Sequence, residues 1–228
     1  MKLHPLLGHF RLMAAFVPWL FLYIGVLDAA EIWQLDNLKR IGGHPVKVIG
    51  APRVIDAGGA KAVLFDGAHD GLFIPAIPFA GARAFTIEIL FQPAKGGLAE
   101  QRFFHAQDVD ESRAMIETRL NRYGGWWLDT YLFSRPPSPE QGLTLVDPRR
   151  IHPTGQWYWA ALRYDGRKMT HFVNGAKELE GEESFAVFGP GEISLGVRQN
   201  KVFWFKGAIR EVRFHKVALP ETELQRGE

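Results

Sequence analysis

The sequence predicts an all-β fold, an antiparallel two-sheet jelly-roll sandwich, on three observations. Runs rich in Val, Ile, Phe and Trp recur between Gly, Pro, Asn and Asp punctuation, the pattern of many short strands joined by turns. Aromatic residues make up 13% of the chain, with 17 Phe and 7 Trp, and such side chains fit a pleated, half-buried surface better than a helix. No helical hydrophobic period competes over residues 31–228, and the number of strand-like runs there demands two sheets.

At the N-terminus, Lys2, His4, His9 and Arg11 precede an apolar run over residues 12–27 that ends in Asp28-Ala29-Ala30. This order of charged flank, apolar stretch and small residues predicts a signal peptide, with an uncleaved membrane anchor as the alternative. Pro18 in mid-run and the lack of a polar face argue against a buried helix. The chain is thus expected to be exported, with residues 1–30 as the export segment and 31–228 as one sandwich domain. Removing Lys2, Arg11 and Asp28 with that segment leaves 25 basic against 24 acidic side chains, so the domain is nearly neutral.

Composition excludes several classes. There is no Cys, hence no disulfide framework, thiolate nucleophile, Cys-bound metal or lipoprotein anchor. A formal net charge of +2 without a long basic run leaves no electrostatic footprint for nucleic acid.

The clearest strands are 62–65, 85–92, 101–107, 113–120, 126–133, 157–164, 169–173, 193–197 and 208–215. Asp165-Gly166 between two of them predicts a tight type I′ hairpin, and Asn174-Gly175 closes the next strand in the same way. Residues 134–142, with three prolines that cannot donate to a ladder, predict an exposed loop. Pro220 followed by Glu221 and Glu223 suits a terminal helical turn.

Three stretches, in order, resemble the laminin-G-like domains of the concanavalin A-like superfamily. The first runs from Ala62-Val63-Leu64-Phe65-Asp66-Gly67 through Asp70-Gly71 to Phe85-Thr86-Ile87-Glu88. The second is Trp157-Tyr158-Trp159 through Tyr164-Asp165-Gly166 to Phe172-Val173-Asn174-Gly175. The third is Ile193-Ser194-Leu195-Gly196, then Phe205-Lys206-Gly207 through Phe214-His215 to Leu219-Pro220. The resemblance covers about residue 61 to the C-terminus and implies a jelly-roll framework. That framework hosts lectins, adhesive modules, glycoside hydrolases and polysaccharide lyases, so the fold alone does not name the function.

The resemblance also implies a possible rim Ca2+ site, for which Asp70 is the nearest positional match, ahead of Asp66 and Asp165. His44, His69, His152 and His215 show no metal-ligand spacing. The Glu-x-Asp-x-x-Glu arrangement of the superfamily's glycosidases is absent, and the cluster Glu178, Glu180, Glu182 and Glu183 reads as a solvated loop or sheet edge.

Strand alternation supplies the candidate site. Arg113, Met115, Glu117 and Arg119 share one face of their strand, opposite Ala114, Ile116, Thr118 and Leu120. By the same alternation His105 and Gln107 share a side with Phe103, and Asp129 and Tyr131 share a side with Trp127 and Phe133. Together with His171 from the later hairpin these residues would line a polar groove for a sugar chain. As an enzyme, a lyase needs a cation for the uronate, a base and an acid, for which His105, Glu117, Arg119, Asp129 and Tyr131 are the candidates. The set is loosely similar to the Arg-x-Glu-x-Arg, Gln-x-His and Tyr-Phe-Lys elements of alginate-lyase-like jelly rolls. It departs from them because His105 precedes Glu117 and because Phe205-Lys206-Gly207 continues into the laminin-G-like ending. Trp204 is the candidate exposed stacking residue. Trp126, Trp127, Trp157 and Trp159 are weighed as sugar platforms against core packing, with Trp157 assigned to the core.

Three readings follow: a non-catalytic module that binds a glycan or an extracellular protein, a carbohydrate-active enzyme, or a structural envelope protein. No cofactor is required by any of them. Truncating Arg119 is expected to leave the core intact.

Overall fold

The computed structural model describes Met1, residues 29–135 and residues 141–227; most of the expected export segment (residues 2–28) and residues 136–140 of the proline-rich loop lie outside the described residues. The strands, in chain order, are β1 (Glu31–Gln34), β2 (Arg40–Ile41), β3 (His44–Pro45), β4 (Lys47–Ile49), β5 (Arg53–Ala57), β6 (Ala60–Asp66), β7 (Gly71–Ile74), β8 (Phe85–Pro93) and β9 (Glu100–Asp108). They continue with β10 (Arg113–Leu120), β11 (Gly125–Phe133), β12 (Leu143–Val146), β13 (His152–Pro153), β14 (Tyr158–Tyr164), β15 (Lys168–Val173), β16 (Ala176–Glu182), β17 (Gly191–Leu195) and β18 (Lys206–His215). No helix occurs among the described residues; the Pro220 segment makes one turn, closed by Glu223 N donating to Pro220 O at 3.0 Å.

Two antiparallel sheets form the sandwich. One has the order β16-β15-β14-β8-β18-β6-β5, with β1 also paired to β18; the other has the order β12-β11-β10-β9-β17-β7-β4, with β13 on β11. Each sheet joins a run of consecutive antiparallel strands, β9 to β12 in one and β14 to β16 in the other, to strands distant in sequence, as in β8 beside β14 and β18. β1, β4 and β5 pair into these two sheets while β2 and β3 pair with each other, and Trp33 of β1 is fully buried in the core.

Alternation explains the core. Along β8, Phe85, Ile87, Ile89 and Phe91 point between the sheets and are fully buried. Phe91 stacks on Phe103 of the opposite sheet with centroids 4.2 Å apart, and Trp126 meets Phe91 and Tyr158 edge-on. Trp126 and Tyr158 are therefore core residues. Trp157 is not: it is half-buried and lines, with Trp159, a cleft of about 390 Å³ beside Leu90 and Arg210. The two Trp flank inward-facing Tyr158, so the period-2 pleat turns both the other way, and the core assignment of Trp157 is corrected.

The Asn174-Gly175 hairpin has the expected positive φ at both residues, 50° and 74°. At Asp165-Gly166 only Gly166 has positive φ; the Asp165 carboxylate instead accepts the N–H of Arg167 (2.9 Å) and Lys168 (2.7 Å), an Asx clamp in place of the type I′ turn.

The two outer faces differ. Residues after β18 fold back over the sheet that contains β8: Thr86 Oγ1 donates to Val217 O and accepts from Leu219 N, Gln225 N donates to Glu88 Oε1 at 2.7 Å, and Leu219 and Leu224 pack on Ala161 and Phe172. That strap explains why Thr86 and Glu88, outward-facing on β8, are buried. On the outer face of the other sheet the polar residues of β9, β10 and β11 gather.

Candidate functional site

The outer face of β9, β10 and β11 is a set of rows fixed by strand register. Arg102, Glu117 and Asp129 face one another across the three strands, as do Glu100, Arg119 and Trp127. One row along lie His105, Met115 and Tyr131, continued by Thr144 on β12, and then Gln107, Arg113 and Phe133. The face of β10 and β11 is the one expected from alternation, because Ala114, Ile116, Leu128 and Leu132 all join the core.

On β9 the alternation fails. A bulge opposite Ile116 and Glu117 turns both Phe103 and Phe104 inward, so Phe103 stacks in the core and does not share a side with His105 and Gln107. The bulge also brings Arg102, which strict alternation would bury with Phe104, onto the polar face. Its Nε lies 2.8 Å from Glu117 Oε1 and its Nη1 3.1 Å from Glu100 Oε2. The guanidinium stacks over Phe203, 3.7 Å from the ring centroid. The adjacent Phe103-Phe104 pair was the sequence signal for this irregularity.

Arg119 is held on three sides. Its Nε donates to Asp129 Oδ2 at 2.6 Å, its Nη1 pairs with Glu100 and its Nη2 lies 3.9 Å from Glu117 Oε2. Its side chain is 25% exposed and clamps Glu117 and Asp129, whose side chains are 2% exposed. Burial, reinforced by the Asp129 charge, pushes Glu117 up to about 7 against the pull of Arg102 and Arg119. Burial likewise raises Asp129, with Arg119 opposing.

The neighbouring end of the face lacks this pairing. Arg198 reaches it from the loop after β17, where Gly196, at φ +80°, turns the chain against the Phe65 ring. Gln199 N donates to His105 Nδ1 at 3.1 Å, which seats the loop. Among the described residues neither Arg198 nor Arg113 has a carboxylate partner; Arg113 lies only over the Tyr131 and Phe133 rings, at 5.8 and 5.0 Å. Burial, then Arg102 and Arg113, lowers the Arg198 pKa. Arg102, Arg113, Arg119, Arg198, Glu117, Asp129, Tyr131 and Thr144 surround an open depression of about 260 Å³.

Other expected site residues fall elsewhere. His105 faces this side but is buried and held neutral, its pKa lowered to about 3 by burial and by Arg198, Arg113 and Arg102. Gln107 is half-buried one row beyond, beside Glu192. His171 is corrected outright. It lies between the sheets, 1% exposed, with Nδ1 2.9 Å from Thr130 Oγ1 and Nε2 3.8 Å from Glu178, and burial holds its pKa near about 3. Alternation puts it on the same side of β15 as the core residues Met169 and Val173. Trp204 is half-buried and lines neither the polar depression nor the cleft at Trp157.

Asp70 is a structural tie. Its oxygens accept the N–H of Ala51 (2.8 Å) and Asp66 (3.1 Å), joining two turns. No group of three or more potential metal ligands occurs among the described residues. Glu180 and Glu182 are exposed on edge strand β16, as expected, whereas Glu178 is largely buried against His152 at 2.8 Å.

Comparison with known proteins agrees with this architecture. No curated protein sequence matches the chain. Among solved structures, domain 4 of AbnA, an extracellular arabinanase of Geobacillus stearothermophilus in complex with arabinotriose, superposes with a TM-score of 0.58 at 21% identity, covering 85% of this chain and 94% of that domain. The binding domain of Paraclostridial Mosquitocidal Protein 1 gives 0.62 at 14% identity over 86% of this chain and 51% of that one. The botulinum neurotoxin serotype D ligand-binding domain, in complex with N-acetylneuraminic acid, gives 0.60 at 13% over 86% and 48%. The chain thus spans about half the length of the toxin domains it matches. The laminin-G model described as the concanavalin A-like lectin/glucanases superfamily matches residues 66–225, and the chain is a member of that family.

Proposed function

We propose that this chain is an exported, non-catalytic module whose β9–β12 face binds a glycan. The observation that carries the reading is the open depression in which guanidinium, hydroxyl and aromatic groups of Arg113, Tyr131 and Thr144 on the sheet and Arg198 on the adjoining loop converge. Sugar hydroxyls and ring faces are recognised by such planar donors and aromatic edges. The arabinotriose and N-acetylneuraminic acid complexes of two structurally similar domains support a saccharide over a protein partner. Export rests on the apolar run over residues 12–27.

Binding is favoured over catalysis because the candidate acids are already engaged. Glu117 and Asp129 are ion-paired to Arg102 and Arg119, and the acceptor nitrogen of His105 is occupied by Gln199. One observation favours the enzymatic reading: Glu117, raised to about 7, directly opposes Asp129, a pairing from which acid–base roles can be built. Residues 31–228 passed over immobilised neutral and acidic polysaccharides, with reducing ends scored in the eluate, separate the two. Retention without product supports a binding module, product release supports the enzyme, and neither retention nor product refutes both.

A further inference from the structure

The polar face has two electrostatic halves. In one, Arg102 and Arg119 are matched against Glu100, Glu117 and Asp129. In the other, Arg113 and Arg198 border the same depression without any carboxylate partner among the described residues, and the imidazole buried beside them carries no negative charge. Among the described residues Arg113 Nε is buried with no hydrogen-bond partner, and His105, whose Nδ1 accepts from Gln199, is left with an unpartnered buried Nε2. Like charges gathered on a half-buried surface repel and are poorly solvated, so they are stabilised by an anion that bridges them. A planar guanidinium offers two parallel N–H groups to a carboxylate or sulfate, which a neutral hydroxyl cannot match.

We propose that Arg113 and Arg198, with Tyr131 beside them, bind the oxyanion group of an acidic saccharide, so that the ligand is a charged glycan and the paired half of the face holds its neutral ring atoms. This rests on the glycan reading above. The matched half cannot supply the charge recognition, because Arg119 and Arg102 are committed to carboxylates. Nor does the far cleft at Trp157 and Trp159, on the other sheet, offer two unpaired cations.

Oligogalacturonate, its methyl ester and dextran sulfate beside dextran serve as probes, titrated into residues 31–228 by calorimetry at about 50 and 300 mM salt. The free acid is expected to bind at least tenfold tighter than its ester, with the difference shrinking at high salt, and Arg113→Gln and Arg198→Gln are each expected to weaken the acid tenfold or more and the ester little. Dextran sulfate bound and oligogalacturonate not would assign the site to sulfate, the reverse to carboxylate; both support the proposal. Ester and acid bound equally would overturn it while leaving the glycan reading standing. No binding of any saccharide would overturn both. Acid binding unchanged in both Gln variants would place charge recognition elsewhere and overturn it. Because each substitution removes a repulsive charge, unfolding midpoints of the variants at or above the parent's show that lost binding is not lost folding.

Discussion

Replacing Glu117 by Gln isolates the most perturbed carboxyl of the polar face. Its pKa stands at about 7 in the folded chain against an ordinary 4.5. At ~1.4 kcal/mol per unit, the fold therefore disfavours the ionised form by about 3 kcal/mol. The folded state holds this proton more tightly than the unfolded chain does. Its contribution to stability is accordingly complete below pH 4.5 and lost as pH rises through about 7. Two histidines act in the opposite sense. His105 and His171 titrate near about 3 when folded, against 6.5, so their contribution is complete above pH 6.5 and falls away in acid. By about pH 5 each has cost about 2 kcal/mol. A raw stability curve sums these opposing slopes, but the difference between Glu117→Gln and the parent cancels the histidines. Urea unfolding of residues 31–228 at about pH 5, 6, 7 and 8 should show the variant gaining on the parent with rising pH, by up to about 3 kcal/mol across the range. The pull of Arg102 on the Glu117 carboxylate is already contained in the folded value of about 7, so its loss in the variant adds no separate slope. A flat difference, or one that falls as pH rises, would mean that Arg102 and Arg119 hold Glu117 ionised, and would refute the assignment of burial as the dominant influence.

Arg119→Ala leaves Asp129 and Glu117 buried without their shared cation, and urea unfolding at about pH 8 should register a loss of about 3 kcal/mol with the sandwich still formed. A loss under about 1 kcal/mol would return Arg119 to the status of a surface ion pair. Gly196→Ala would set a methyl 2.2 Å from the buried Phe65 ring at a φ of +80°, and a destabilisation of about 2–5 kcal/mol is expected from thermal unfolding, together with weaker saccharide binding as the Arg198 loop is displaced. A chain lacking residues 1–30 should remain inside the cell when fractions are probed by immunoblot, and its appearance outside would refute the export reading.

The fold was legible because its periodicity is loud. Phe85, Ile87, Ile89 and Phe91 alternate strictly, and Asn174-Gly175 marks its turn by a residue pair that accepts positive φ cheaply at both places. The weak strands were not legible for a physical reason as well. β4, β5 and β16 lie at sheet edges, exposed on one side, so their apolar pattern is diluted by Lys47, Arg53, Lys177 and Glu180. The closing strap was invisible too, since a segment that packs through Leu219, Leu224 and a few backbone hydrogen bonds needs no period of its own.

The site was half legible, and the halves divide by mechanism. Alternation assigns a side chain to a face only while the strand stays regular and the neighbouring segment is known, which is why Glu117, Arg119, Asp129 and Tyr131 were found together. It fails for Arg102, where two adjacent Phe compete for the core and the backbone gives way in a bulge. It places His171 beside Met169 and Val173 on the inner side of β15, where Thr130 supplies the imidazole's partner, so His171 was never available to the polar face. It says nothing about Arg198, whose place depends on the loop after Gly196 folding back over β9. The missed Arg198 is thus what adds a second cation beside Arg113. Arg113, Glu117, Arg119 and Asp129 alone carry balanced charge; Arg102 and Glu100 join the paired end, and Arg198 beside Arg113 makes the other end cationic. Local rules of charge pairing are obeyed around Arg119 and broken around Arg198, and a rule broken without internal compensation is where an external partner is expected to supply it.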